Sequence, residues 1–297
     1  MAWQLTDSLD EFERVAAPYL LADPVRQTVP LSVLSSLRHA GPSAFGTEPP
    51  VFGWHYSRDG KLDGVVLQTP PYPLLLAAAP PESVAALLTL LAAERGLPAA
   101  VNVDAAGEEQ FLAAWSASTG GTGLARMRQR LFRLGALAAP HPAPPGVARV
   151  ADRGDVDLLV DWHDAFAREA GTVAAGSDRI VADRLSHGGL TLWEVGGGPV
   201  AMAGTHRPVA GVVRVSGVYT PPAERRRGYG GAVTAAVSQA ALTAGATGVV
   251  LFTDVANPTS NAIYQRLGYR PIEDRVMLDL TTDVTTGQRV SSELSCE

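Results

Sequence analysis

The stretch Arg225-Arg226-Arg227-Gly228-Tyr229-Gly230-Gly231 decides how this chain is read. It follows an alternating apolar segment, Val212 to Thr220, and opens a segment of helical period, Tyr229 to Ala244. A strand that turns through a basic, glycine-bearing loop into a helix start forms an anion cradle. The first N–H groups of a helix have no partner inside it, and the macrodipole places partial positive charge there. Glycine at 228 and 230 lets a phosphate approach the backbone without meeting a Cβ. Arginine adds charge and forked donors.

Three phosphate loops compete. A Walker loop needs Gly-Lys followed by Ser or Thr, and the only lysine is Lys61. A dinucleotide fingerprint needs G-x-G-x-x-G, but counted from Gly228 its last position falls on Val233. Arg-x-x-Gly-x-Gly remains, at Arg225, Gly228 and Gly230. The strand before it ends Gly217-Val218-Tyr219-Thr220-Pro221, and about thirty residues later stands Asn257-Pro258-Thr259-Ser260-Asn261-Ala262-Ile263-Tyr264, closed by Leu267-Gly268-Tyr269. In order and spacing these motifs resemble the GCN5-related N-acetyltransferases (GNAT) over roughly residues 147–280.

The resemblance implies acetyl-CoA or another acyl-CoA as co-substrate, no metal, and direct acyl transfer to a primary amine. Main-chain N–H groups of Arg226, Arg227, Gly228, Tyr229, Gly230 and Gly231 would hold the diphosphate, with the Arg225 and Arg226 side chains in reach. The N–H of Val218, with Thr220 beside it, would face the thioester carbonyl where two strands splay apart. Asn257 would cap its helix and touch the CoA arm. Tyr264 would give a proton to the leaving thiolate, since a phenol near pKa 10 is protonated at pH 7. A base must neutralise the amine. Glu169 is the first candidate, ahead of Glu194 and His206. Trp162, Phe166 and Trp193 are candidate pocket walls or simply core.

Composition bounds the rest. The chain has 297 residues, 46% of them hydrophobic, enough for one large or two ordinary cores. The single cysteine, Cys296, permits no internal disulfide. The first residues include acids and show no signal-peptide pattern, and no apolar run nears the ~20 residues that span a bilayer. A cytoplasmic enzyme without membrane contact is expected. The net charge of −6 argues against a nucleic-acid partner. A small-molecule or peptide amine is the expected acceptor, on a monomer or homodimer. Two other readings are open: a sensor module that binds acyl-CoA without turnover, and peptide-bond formation from an aminoacyl-tRNA. The scarcity of lysine disfavours the second.

Residues 137–146 are proline-rich and cannot lie within a helix or central strand. They divide the chain into 1–136 and 147–280, with a polar tail at 281–297. In the second half the patterns predict strands at 147–151, 190–195, 199–207, 211–220, 248–253 and 270–280. Helices are predicted to follow Asp152 and to lie near 178–187, 229–244 and 258–267. The first half repeats that order, with a capping-box helix start at Ser8-Leu9-Asp10-Glu11. At the place of the basic loop it has Ala79-Pro80-Pro81-Glu82, without glycine or arginine and with two residues lacking N–H. The expected architecture is α/β (α+β): two tandem acyl-CoA N-acyltransferase-like domains, each a mixed, mostly antiparallel sheet with helices on both faces. The first would be a degenerate copy that binds no CoA.

Overall fold

A computed structural model describes residues 2–171 and 176–283. The greater part of the expected polar tail, residues 284–297 with Cys296, lies outside the described residues.

The first half runs β1 (Gln4–Thr6), α1 (Leu9–Ala22), α2 (Thr28–Ala40), β2 (Val51–Tyr56), β3 (Leu62–Gln68), β4 (Leu74–Ala78), α3 (Val84–Glu94), β5 (Ala100–Asp104), α4 (Glu108–Thr119) and β6 (Gly123–Leu134). The second runs β7 (Val147–Val150), α5 (Val156–Glu169), α6 (Ser177–Leu185), β8 (Leu190–Val195), β9 (Gly198–Thr205), β10 (Val212–Tyr219), α7 (Tyr229–Thr243), β11 (Gly248–Asp254), α8 (Pro258–Arg266) and β12 (Tyr269–Leu280). Helices and strands thus follow in the same order in both halves.

Local chemistry starts the helices where the sequence predicts. The Ser8 hydroxyl accepts from the Glu11 N–H ahead of α1, and Asp152 and Asp155 form a reciprocal capping box ahead of α5. α1 then buries one stripe, Phe12, Ala16 and Leu20, whereas α7 is buried more widely, through Ala232, Val233, Thr234, Val237, Ser238 and Ala241.

All twelve strands form one sheet, in the order β1-β2-β3-β4-β5-β12-β6-β11-β10-β9-β8-β7. Only β4/β5 and β10/β11 pair in parallel. The last strand of each half completes the other half. β12 lies against β5, β6 lies against β11, and the two long strands pair with each other at the centre. Separate sheets were the expectation from the sequence; exchange of the last strands fuses them. Leu131, Phe132 and Tyr269 at this seam are fully buried.

In the second half α7 and α8 cover one face of the sheet and α5 and α6 the other. The proline-rich segment packs on the second half. Ala138 N–H donates to Leu267 O at 3.0 Å, and the Trp193 indole donates to Pro145 O at 2.9 Å. Gly268 (φ +97°) permits this closeness, since a Cβ there would lie 1.9 Å from Ala136 O. Among the described residues no helix is long and apolar enough to cross a membrane.

Candidate functional site

The basic loop leaves β10 through a single 3-10 turn, Pro222–Glu224, and enters α7 at Gly228. Arg226 (φ +65°) and Gly228 (φ +86°) are left-handed, with Arg227 between them. Such alternation turns successive N–H groups toward a common concavity. Arg226 holds this conformation without being glycine, a strain of about 1–3 kcal/mol of the kind found at functional sites. Among the described residues, the N–H groups of residues 226 to 231 have no hydrogen-bond acceptor; the helix ladder begins with Ala232 N–H to Gly228 O. Residues 225–228 are exposed. The loop is therefore an open row of unused donors at a helix N-terminus. A Cβ on Gly230 would stand 3.3 Å from the Thr220 hydroxyl, so glycine keeps the floor of the row clear. Tyr229 contributes only its backbone, because its side chain is buried in the core under α7.

The three arginine side chains differ. Arg225 donates from Nε to Thr220 O at 2.9 Å, pairs with Glu169, and lies over the Tyr219 ring. Arg227 pairs with Glu224 at 3.0 Å. Arg226 has no side-chain partner among the described residues and projects from the exposed bend.

Below the loop, β10 parts from its parallel neighbour. It pairs with β11 from Val212 to Val215 only, while both strands continue. β10 also bulges. Ser216 faces Gly204 of β9, but Tyr219 faces Met202, so β10 has one extra residue, and Gly217 is left-handed at φ +61°. The bulge puts Tyr219 against α5 and α6, while Val218 packs toward α7 and α8. Val218 thus lies in the splayed stretch, on the edge β11 has left.

Tyr264 of α8 is 8% exposed, in the same core cluster as Tyr229, and meets Tyr269 edge-on at 6.1 Å between ring centroids. Burial raises its phenol far above the ordinary range, so it is protonated at neutral pH. Asn257 is the N-cap of α8, its Oδ1 accepting from Ser260 N–H at 3.0 Å. Glu169, at the end of α5, accepts from Arg225 and from the Tyr219 hydroxyl at 3.2 Å.

The other candidate bases are placed differently. Glu194 is locked with Arg149 at 2.8 Å, in a cluster that includes Asp155. His206 meets the Ser216 hydroxyl at 3.0 Å, and burial, then nearby Arg214, Arg184 and His187, push it well below the usual imidazole range. Trp162 stacks obliquely near Tyr219 and Phe166 joins the same α5–α6 cluster, so both face the splayed strand; Trp193 is anchored to the proline-rich segment instead.

Two residues escaped the sequence reading. Asn261 lies between Asn257 and Tyr264 on α8. Its amide donates to Asp254 O at 2.9 Å and Asn257 O at 2.7 Å, leaving Oδ1 buried without a donor. Its place one turn from each motif residue was the available signal. Arg184, buried under the bulge, stood in an unremarkable helical pattern and gave none.

In the first half the matching turn is closed. Pro80 and Pro81 have no N–H, Ser83 N–H donates to Pro80 O at 2.9 Å, and Val84 N–H is bonded to Pro81 O. β4 and β5 also part, after Leu75 and Asn102. Their gap is filled by Arg275, which donates to Leu76 O at 2.8 Å and to Asn102.

Residues 156–269, within the second half, match the model of the acetyltransferase (GNAT) family. GNAT domains use acetyl-CoA. No curated protein sequence matches the chain. Among solved structures, a GNAT-family acetyltransferase from Colwellia psychrerythraea superposes with TM-score 0.60 at 13% identity, over 94% of this chain and 98% of its own. A GCN5-related N-acetyltransferase from Sphaerobacter thermophilus gives 0.61 at 15%, over 94% and 95%. A glucosamine N-acetyltransferase region of a fungal multi-domain β-N-acetylglucosaminidase gives 0.57 at 14%, over 93% of this chain and 38% of that one. At these identities the likeness is one of fold. It extends across nearly the whole chain, beyond the segment the family model matches.

Proposed function

We propose that the protein is an acyl-CoA-dependent N-acyltransferase, acting from its second half on a small-molecule or peptide amine. The observation that carries this reading is the open row of N–H donors at 226–231 beside the splay of β10 from β11. The row fits a diphosphate: its donors are unpaired, its residues 226–228 are exposed, and it lies at the positive end of a 15-residue helix. Arg226 is the side chain free to add a contact. Bound acyl-CoA supplies an activated thioester, and the residues of the splay act on it.

The Val218 N–H faces the carbonyl oxygen as negative charge develops there. A well-aimed donor of this kind is worth about 2.7–4 kcal/mol. The amine nitrogen bonds to the carbonyl carbon, and the C–S bond breaks with its electron pair on sulfur. Tyr264 gives that sulfur a proton. Glu169, hydrogen-bonded to Arg225 and Tyr219, takes the proton the amine loses, directly or through water. The first half, in this reading a degenerate copy that binds no CoA, supports the sheet and walls the acceptor side. The boundary between the copies falls in residues 137–146.

The test is release of free thiol from acetyl-CoA with and without a panel of primary amines. Amine-dependent release coupled to N-acetylated product supports the reading. CoA binding with no release for any amine would leave only a sensor module.

A further inference from the structure

Under the β10 bulge lies a group of buried cations without an ion pair among the described residues. Arg184 of α6 is 7% exposed, and its guanidinium packs against Gly204 of β9 and Gly217 of β10. Two glycines make room for it: a Cβ on Gly204 would stand 2.5 Å from Nη1, and one on Gly217 3.1 Å from the same atom. Nη2 donates to the Ser216 hydroxyl at 2.9 Å. His206 stands beside both, and Arg214 of β10 is near enough for the Arg184 charge to act on it and for its own charge to act on His206. Arg214 reaches the Ser32 hydroxyl of α2, and its Nε is buried without an acceptor.

Among the described residues neither Arg184 nor Arg214 forms an ion pair, and neighbouring Asp183 is taken by Arg207. Residues 172–175, between α5 and α6, are Thr-Val-Ala-Ala and hold no acid. Burial lowers Arg184 to about 10 and Arg214 to about 9, so both stay cationic at neutral pH. Unpaired buried cations are costly, and such a group is built to be completed by an anion.

Arg275 shows what a purely structural buried arginine looks like in this protein. It is equally buried, and its Nε and Nη2 are met by an amide oxygen and two main-chain carbonyls. In Arg184 only Nη2 has partners among the described residues. Nε and Nη1 have none. Nη1 lies against Gly204 and against Gly217, the residue before Val218.

We infer that Arg184 is the anchor for a carboxylate on the acceptor, so that the substrate is an amino acid whose amine lies within a few bonds of its carboxyl group. The inference rests on the acyltransferase reading. An arginine fork suits a planar carboxylate. Held at Nη1 beside Gly217, such an acceptor has its amine next to the splay where the thioester carbonyl is to be bound. Arg214 sets the local positive field, and Ser216 fixes the plane of the Arg184 guanidinium.

The test uses N-acetyl amino acids and their N-acetyl carboxamides, which differ in the carboxylate and carry no titratable amine. Calorimetric binding to the CoA-loaded full chain is compared for wild type, Arg184→Met and Arg184→Lys. At least one acid is expected to bind wild type tenfold or more tightly than its amide. Arg184→Met should erase that preference with CoA affinity unchanged, and Arg184→Lys should keep part of it. Equal binding of acid and amide to wild type overturns the inference, and this comparison does not depend on any variant folding. Retained preference in Arg184→Met overturns it too. So does chloride-dependent stability that Arg184→Met removes while acid and amide bind alike, since the anion is then a structural ion. Thiol release separates the two levels. Release with amines lacking a carboxylate as fast as with amino acids refutes the acceptor class and leaves the acyltransferase standing, whereas no release with any amine refutes the acyltransferase and this inference with it.

Discussion

The two halves share one order of elements, yet treat the gap between their parallel strands in opposite ways. In the second half β10 and β11 part after Val215 and Leu251, and the loop above presents free donors. In the first, β4 and β5 part as well, but Arg275 closes the gap and the loop above it consumes or lacks its donors. The fold therefore supplies the splay. Whether the splay becomes a site is set by a few residues: Arg-Arg-Arg-Gly-Tyr-Gly-Gly against Ala-Pro-Pro-Glu-Ser.

The largest effect expected from breaking this contrast is at Gly230. Gly230→Asp puts a side chain and a negative charge on the floor of the donor row, and CoA affinity should fall at least about a hundredfold. Glu82→Arg, which adds positive charge at the first half's turn, should change it less than twofold. Calorimetric titration with CoA measures both. Arg275→Met tests the filled gap. It strips the Leu76 carbonyl and Asn102 of their donor and should cost about 2–4 kcal/mol in urea unfolding, with little change in CoA affinity of the folded protein.

Chemistry sharpens the comparison next. Tyr264→Phe should lower kcat ten- to a hundredfold with CoA affinity unchanged, because the proton is needed only as sulfur departs. An unaltered turnover number would remove tyrosine from the role of acid.

Acid sensitivity should come from the second half. His163 of α5 is lowered to about 4, first by burial and then by the charge of Arg184. Near pH 5 the unfolded chain protonates this imidazole, at about 6.5, while the folded one does not. The stability gained by keeping it neutral is complete above about pH 6.5 and is lost as pH falls toward 4. That is up to about 3 kcal/mol, less what partial solvation removes. His206 adds to the same slope. Urea midpoints at pH 7 and pH 5 should differ, and His163→Asn should reduce the difference. The smallest effect is Asn257→Ala, about 1 kcal/mol from loss of the α8 cap.

Most helices and strands were legible in the sequence because each half alternates apolar residues with period two in strands and near four in helices. Leu190–Val195 falls where the pattern places it. The loop was legible because glycine spacing and charge are local properties. Exchange of β6 and β12 was not, because pairing partners are chosen between strands with similar apolar faces, and either half could have closed on itself. The pairing of Glu169 with Arg225 joins residues 56 positions apart, and the cation group at Arg184 draws on four elements from both halves. Neither leaves a short-range signal. The short strand Gln4–Thr6 was missed because three residues carry too little periodicity.

The most direct test of the central claim is a crystal structure of the full chain with CoA bound. The account predicts the diphosphate oxygens about 2.9 Å from main-chain nitrogens within 226–231, with the sulfur pointing into the gap between β10 and β11. A diphosphate seated elsewhere, or nitrogens of that bend turned away from it, would contradict the account.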